Sequence, residues 1–298
     1  MKRLKKGLAC LLCLALLLPN VLWAVAEEPP LLIAEEGSGE SAEELLQESA
    51  DDVWLPVDTV PTEAAALEVG GKSAILMDQT SGTVLFEKNA HEKLAIASVT
   101  KIMTLLLVME ALDQGRITLE DPVTCSDVAA SMGGSQIWLE PGEIMTVHEL
   151  LKAAAVVSAN DACAALAEHI SGSIEGFVSE MNTRAAELGM NDTLFLDCSG
   201  LSDDAYSSAY DVALMSRELM KHKKITEYTT IWMDTLRDGK SQLVNTNKLV
   251  RHYSGATGLK TGTTSKAGHC LSATAQRDGL ELVAVILGCE TTDERFGG

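Results

Sequence analysis

Hydrophobic positions fall into three regimes along the chain. An unbroken apolar run, Leu8 to Leu18, follows a basic start. A polar, acidic stretch then reaches Val69, and from Gly71 onward apolar residues recur with the periods of strands and helices. Lys72–Asp78 and Thr83–Lys88 are apolar-rich and flank Gln79-Thr80-Ser81-Gly82, which predicts a hairpin. Ile102–Leu112 is apolar on every side and ends at Asp113-Gln114-Gly115, which predicts a buried helix with a glycine stop. Thr146 and Glu149 form a capping box ahead of a helix through Leu150–Val157. Ser173 is placed to cap Ile174–Leu188, with Gly189 closing it, and Ser208 with Asp211 reads as a second box starting Val212–His222. Beyond Ile225 the pattern is one of strands. Thr229–Leu236 and Gln242–Asn245 flank Arg237-Asp238-Gly239, and His269–Gln276 and Leu280–Leu287 flank Arg277-Asp278-Gly279. Strands at both ends with helices between predict an α+β fold: one antiparallel sheet built from both ends of the domain, packed against a helical portion.

Charge and composition assign the rest. Lys2, Arg3, Lys5 and Lys6, the short apolar run and Ala24-Val25-Ala26 describe a secretory signal peptide over residues 1–26. Pro19 and Asn20 break the run well short of the ~20 apolar residues of a membrane span. Residues 27–69 hold thirteen Asp and Glu, no Lys or Arg, and several Pro and Gly, so this segment reads as an acidic, disordered spacer. Of the net charge of −20, the leader carries +4 and the spacer −13, which leaves −11 for residues 70–298. A net acidic body argues against nucleic acid as a partner and gives no electrostatic reason for adhesion to anionic lipid. Outside the leader the cysteines are Cys125, Cys163, Cys198, Cys270 and Cys289, an odd number without C-x-x-C spacing. Buried free thiols are expected, and no Cys/His cluster suggests a metal or other cofactor.

Three triplets carry the chemistry: Ser98-Val99-Thr100-Lys101, Ser158-Ala159-Asn160 and Lys260-Thr261-Gly262, in steps of 60 and 102 residues. S-x-x-K, S-x-N and K-T-G in this order mark enzymes that acylate a serine. A serine hydroxyl is a weak nucleophile and needs a neighbouring base. Ser98 and Lys101, spaced i, i+3, share one face of a helical turn. Lys101 can accept a proton only if its amine is held neutral, by burial and by a second cation such as Lys260. Ser158 can relay a proton to a leaving amine, and the Asn160 amide can hold a substrate carbonyl. Lys260-Thr261-Gly262 reads as an edge strand, where Gly262 permits close backbone approach and Lys260 offers charge to a carboxylate. Backbone N–H groups of Ser98 and Thr263 are the expected oxyanion donors.

Longer runs extend the pattern: Ile96 through Thr104, Ser158 through Ala162, Glu187 through Met190, Asn245 through Leu249, and Gly258 through Gly262. On these, residues 70–298 resemble the serine-type D-Ala-D-Ala carboxypeptidases, the low-molecular-mass penicillin-binding proteins. The resemblance implies a β-lactamase/transpeptidase-like fold, no cofactor, and removal of the terminal D-alanine from peptidoglycan stem pentapeptides, with β-lactam antibiotics as covalent inhibitors. It implies Ser98 as the acylated residue and Lys101 as base, with Ser158 and Asn160 assisting. Lys260, Thr261, Gly262, Thr263 and Arg295 would bind substrate. Members usually continue into a further helix, often a β domain and a membrane-binding helix, whereas this chain stops at Gly298, as though cut there, which leaves membrane association open. DD-endopeptidase action on cross-links uses the same machinery. A β-lactam-binding module that hardly turns over is also open. A class A β-lactamase would need a deacylating carboxylate, and Glu187 with Asn191 superficially offers one, but Gly189 marks that segment as a helix end.

Overall fold

The computed structural model describes residues 31–32 and 68–297; the expected leader and nearly all of the spacer lie outside them. The strands are β1 (Leu31–Leu32), β2 (Ser73–Asp78), β3 (Val84–Lys88), β4 (Pro122–Thr124), β5 (Ile144–Thr146), β6 (Met233–Leu236), β7 (Ser241–Val244), β8 (Ala256–Thr264), β9 (Gly268–Arg277) and β10 (Leu280–Cys289). The longer helices are α1 (Lys101–Asp113), α2 (Val147–Val156), α3 (Asn160–Ser171), α4 (Ile174–Glu187) and α5 (Ala209–Leu219).

Five strands form an antiparallel sheet in the order β3-β2-β10-β9-β8. The first strand of the domain therefore lies beside the last, as the sequence pattern implies. Alternation assigns the faces. Ile75, Met77, Val283, Val285 and Leu287 enter the main core with the helices, while Ala74, Leu271 and Ile286 pack with Phe86 and Phe296 on the other face. The fold is α+β, and β8, which carries the third motif, is an edge strand of this sheet.

The helix α1 passes through the middle of the core, with ten of its thirteen residues buried, among them Lys101 and Thr104. An amphipathic stripe is absent because every side of this helix meets protein. Thr146 caps α2 reciprocally: its hydroxyl accepts from the Glu149 N–H, and the Glu149 carboxylate accepts from the Thr146 N–H. Ser173 caps α4, and Gly189 follows that helix at φ +75°. The five cysteines of the described residues are buried thiols that form no disulfide. Burial pushes the Cys125, Cys163 and Cys289 thiols up to about 11.

Two expected elements differ. Ser208 caps α5 by accepting from the Asp211 N–H. The Asp211 carboxylate, however, accepts from the Asp192 N–H at 2.7 Å and the Thr193 hydroxyl at 2.8 Å, so the second box is half made. The strand expected from Thr229 begins only at Met233. Thr226–Thr229 is instead a helical turn, because Thr229 Oγ1 donates to the Thr257 carbonyl at 2.6 Å and the Tyr228 hydroxyl meets His148 Nδ1 at 2.8 Å. Tertiary partners decide both departures.

Candidate active site

The nucleophile candidate lies on a tight 3₁₀ turn, Ala97–Thr100, that runs directly into α1. Ala97 adopts φ +47°, which turns the chain sharply before Ser98. Ser98 is half-buried, whereas Lys101, the first residue of α1, is completely buried. Lys101 Nζ stands 2.8 Å from Ser98 Oγ and donates to the Ser199 carbonyl at 2.8 Å. A lysine removed from water in this way is costly as an ammonium, and its position against a hydroxyl is what a general base requires.

The second motif closes the turn between α2 and α3. Ser158 is fully buried at φ +62°, and its hydroxyl has no hydrogen-bond partner among the described residues. Asn160 opens α3; its N–H donates to the Ser135 carbonyl at 2.7 Å, and its Nδ2 to the Gly133 carbonyl at 2.6 Å. One amide hydrogen is thus committed to Gly133. The neighbouring Asp161 fastens the same loop, accepting from the N–H groups of Ile137 and Leu139 at 3.1 and 3.0 Å. Burial pushes the Asp161 carboxyl up, against these donors.

The third motif presses against the first. A Cβ on Gly262 would stand 2.8 Å from the Ile96 carbonyl oxygen and 2.9 Å from the backbone nitrogens of Ser98 and Val99. Only glycine admits that approach, and it brings β8 beside the Ser98 N–H expected to face an oxyanion. Lys260 is buried, with Nζ donating to the Thr261 carbonyl at 2.8 Å, and the Thr261 hydroxyl donates to Thr246 Oγ1 at 2.6 Å. Burial raises the Cys163 thiol, while the charges of Lys101 and Lys260 act on it in the opposite direction, so both lysines lie within electrostatic reach of one buried sulfur. Arg295 reaches the end of this strand, its Nη1 donating to Thr263 Oγ1 at 3.0 Å.

Of the nine sequence-predicted residues, Ser98 and Lys101 are in contact, Gly262 packs on their turn, Lys260, Thr261 and Thr263 lie along the same strand, and Arg295 meets Thr263. Ser158 and Asn160 stand at the α2–α3 turn, Asn160 against the Gly133–Ser135 loop. Glu187 pairs with Arg184 at 3.1 Å on the surface. Three supports were given no role by the sequence reading. They are the Gly133–Ser135 loop behind Asn160, Thr246 behind Thr261, and Ser199 behind Lys101. The glycine pair at 133–134 and the Asp197-x-Ser199-Gly200 turn pattern are visible signals of loops, but neither says which distant residue the loop will serve. Among the described residues no group of three or more His, Cys, Asp or Glu side chains is placed to hold a metal ion.

Comparison with known proteins decides the family. A family model described as D-alanyl-D-alanine carboxypeptidase, peptidase S11, matches residues 59–291. The chain belongs to this family. The D-alanyl-D-alanine carboxypeptidase DacF of Bacillus subtilis strain 168 is 52% identical over 228 residues, covering 75% of this chain and 59% of that relative. The chain thus spans about three-fifths of the length of this relative and of the D-alanyl-D-alanine carboxypeptidase DacC of Escherichia coli strain K12. Penicillin binding protein 6B of Escherichia coli superposes with a TM-score of 0.74 at 34% identity, over 80% of this chain and 77% of that one. Penicillin-Binding Protein D2 of Listeria monocytogenes, solved with ampicillin bound, gives a TM-score of 0.67 at 32% identity, over 78% and 96%. The α+β architecture of this D-alanyl-D-alanine carboxypeptidase family member is therefore the penicillin-binding transpeptidase fold.

Proposed function

We propose that this chain is a serine DD-carboxypeptidase that removes the terminal D-alanine of peptidoglycan stem peptides and is acylated by β-lactams. The observation that carries the reading is the buried Lys101 amine 2.8 Å from the accessible Ser98 hydroxyl, with Gly262 packed on the Ser98 backbone. In acylation Ser98 Oγ attacks the carbonyl of the penultimate D-alanine, and its proton passes to neutral Lys101 Nζ. The C–N bond then breaks. The leaving amine takes a proton relayed through the Ser158 hydroxyl, whose lack of a partner among the described residues leaves it available for that step. Water hydrolyses the ester and restores Ser98. A β-lactam undergoes the same attack, but the opened ring keeps its leaving amine tethered.

Asn160 and β8 hold the peptide on either side of Ser98, and Lys260, Thr261, Thr263 and Arg295 supply the polar wall that meets its terminal carboxylate. Asp197, whose following residues contact the pair, has both oxygens engaged by backbone N–H groups. That favours peptidase chemistry over a β-lactamase, which needs a carboxylate free to activate water. Residues 1–26 act as an export leader and 27–69 as a spacer, so residues 70–298 work outside the cytoplasmic membrane; the basic start, apolar run and A-x-A pattern support this. Among the described residues no helix is long and apolar enough to cross a membrane.

The test is release of free D-alanine from diacetyl-Lys-D-Ala-D-Ala together with intact mass after penicillin. Wild type is expected to release D-alanine and gain one penicilloyl mass, and Ser98→Ala neither. Lys101→Ala should keep its fold and lose about 100- to 10,000-fold in acylation rate. A wild-type protein that leaves the peptide intact, or a Ser98→Ala variant that still gains the adduct, overturns the reading.

A further inference from the structure

Asp197 lies outside all three motifs, yet its carboxylate organises the loop that touches both members of the Ser98–Lys101 pair. One oxygen, Oδ1, accepts from the N–H groups of Ser199 (2.6 Å), Gly200 and Leu201 (3.3 Å) and from the Ser199 hydroxyl (3.0 Å). The other, Oδ2, accepts from the Ser202 N–H at 2.6 Å. Burial pushes this carboxyl up, but the donors of Ser199, Ser202 and Gly200 outweigh burial and hold it below the usual range. It is an anion at neutral pH, wrapped by its own following residues.

The wrapped turn makes three contacts with the segment 97–104. The Ser199 carbonyl accepts from Lys101 Nζ at 2.8 Å, and the Cys198 carbonyl accepts from Thr104 Oγ1 at 2.6 Å. Gly200, at φ +84°, rests on the Ala97–Ser98 peptide so closely that a Cβ would stand 1.9 Å from the Ala97 oxygen and 3.0 Å from the Ser98 nitrogen. The first contact matters most for chemistry. A neutral amine has two N–H groups and one lone pair. Rotation about the Cε–Nζ bond decides which of them faces Ser98. An acceptor on one N–H restricts that rotation, and with Ser98 Oγ at 2.8 Å it turns the lone pair toward the hydroxyl proton. The carbonyl can do this only where the peptide 199–200 is held, and the carboxylate holds it.

We propose that Asp197 is a positioning residue for acylation: by closing residues 197–202 around its carboxylate it fixes the Ser199 carbonyl on the Lys101 amine and Gly200 against the Ser98 turn. This rests on the reading of Ser98 as nucleophile and Lys101 as base. Asparagine at 197 keeps an acceptor oxygen where three N–H groups converge but removes the charge; alanine removes both.

The experiment is the full chain reacted with a fluorescent penicillin, separating the acylation rate constant from the prior dissociation constant. Misplacement of a reacting group by about 1 Å costs on the order of 100-fold, so Asp197→Ala should lose that much in the acylation rate constant with little change in dissociation constant. Asp197→Asn should recover to within about tenfold of wild type in the same rate constant. Three results overturn the proposal: Asp197→Ala acylated at the wild-type rate, Asp197→Asn as slow as Asp197→Ala, or a loss in Asp197→Ala that lies in the dissociation constant instead of the rate constant. If Asp197→Ala does not melt cooperatively, Asp197→Asn decides alone, and a rate constant more than about tenfold below wild type overturns the proposal. A wild type that is never acylated overturns the Ser98 reading itself, and is told apart from these results because the variants then have no reference rate.

Discussion

Two glycines show how little room Ser98 has. Gly200 meets the Ser98 turn from one loop and Gly262 meets it from β8, each within ordinary contact distance only because neither carries a Cβ. Gly200 also needs its left-handed backbone, so replacing it mixes two effects. Gly262 has no positive φ and isolates the effect of approach. Gly262→Ala would place a methyl 2.8–2.9 Å from three backbone atoms of residues 96–99, which forces β8 away from Ser98. The expected result is an acylation rate lower by about 100-fold with a modest loss in melting temperature. Gly189→Ala is the control: nothing lies within 4 Å of its would-be Cβ, but φ is +75°. It should lose about 1 kcal/mol of stability and keep its acylation rate. A stopped-flow acylation measurement beside a thermal melt for both variants separates the two behaviours.

The elements themselves follow from local chemistry wherever the partner is close in sequence. The box at Thr146 and Glu149, three residues apart, forms as the pattern implies, and Thr146→Ala should cost about 1 kcal/mol, read as a lower urea midpoint with unchanged slope. The hairpins at 79–82 and 277–279 and the buried helix after Ser98 were legible for the same reason: their determinants lie within a few residues. The similar-looking pair Ser208 and Asp211 is different, because the Asp211 carboxylate finds Asp192 and Thr193, nineteen and eighteen residues away. The site divides along the same line. The candidates with chemical identity could be named from the sequence, since a hydroxyl, an amine and their spacing point to a chemistry. The residues that aim them could not: Gly133 reaches Asn160 across 27 residues and Ser199 reaches Lys101 across 98, each through a backbone carbonyl that any residue type could supply. A carbonyl leaves no signature in a sequence.

At the scale of the molecule, the groove wall facing Asn160 is held from outside by a second sheet. Arg237, at the β6–β7 turn, donates through Nε and Nη2 to the Glu143 carboxylate at 2.7 and 3.1 Å, and through Nη1 to the Ile137 carbonyl at 2.9 Å. Asp161 takes the Ile137 and Leu139 N–H groups from the opposite side, so residues 137–139 are clamped between a cation and an anion. Burial raises the Glu143 carboxyl, but Arg237 and the Glu140 N–H outweigh it and leave Glu143 below the usual glutamate range. A carboxyl depressed in the fold adds stability above its unfolded value, about 4.3, and loses it as pH falls through the folded value. Asp161 runs the other way: its raised carboxyl adds stability at low pH and loses it as pH rises. Glu143→Gln keeps the shape and removes the charge, so it should melt below wild type at pH 7. The gap should narrow as pH drops below about 4.3 and close once pH has fallen through the depressed folded value, where the wild-type carboxyl is also neutral. Calorimetric melts of both proteins across that range give the answer. A gap that stays constant to the acid end would mean that Glu143 acts through shape alone, and that Arg237 holds the wall by its bonds to the Ile137 carbonyl and Ser241 without an ionised partner.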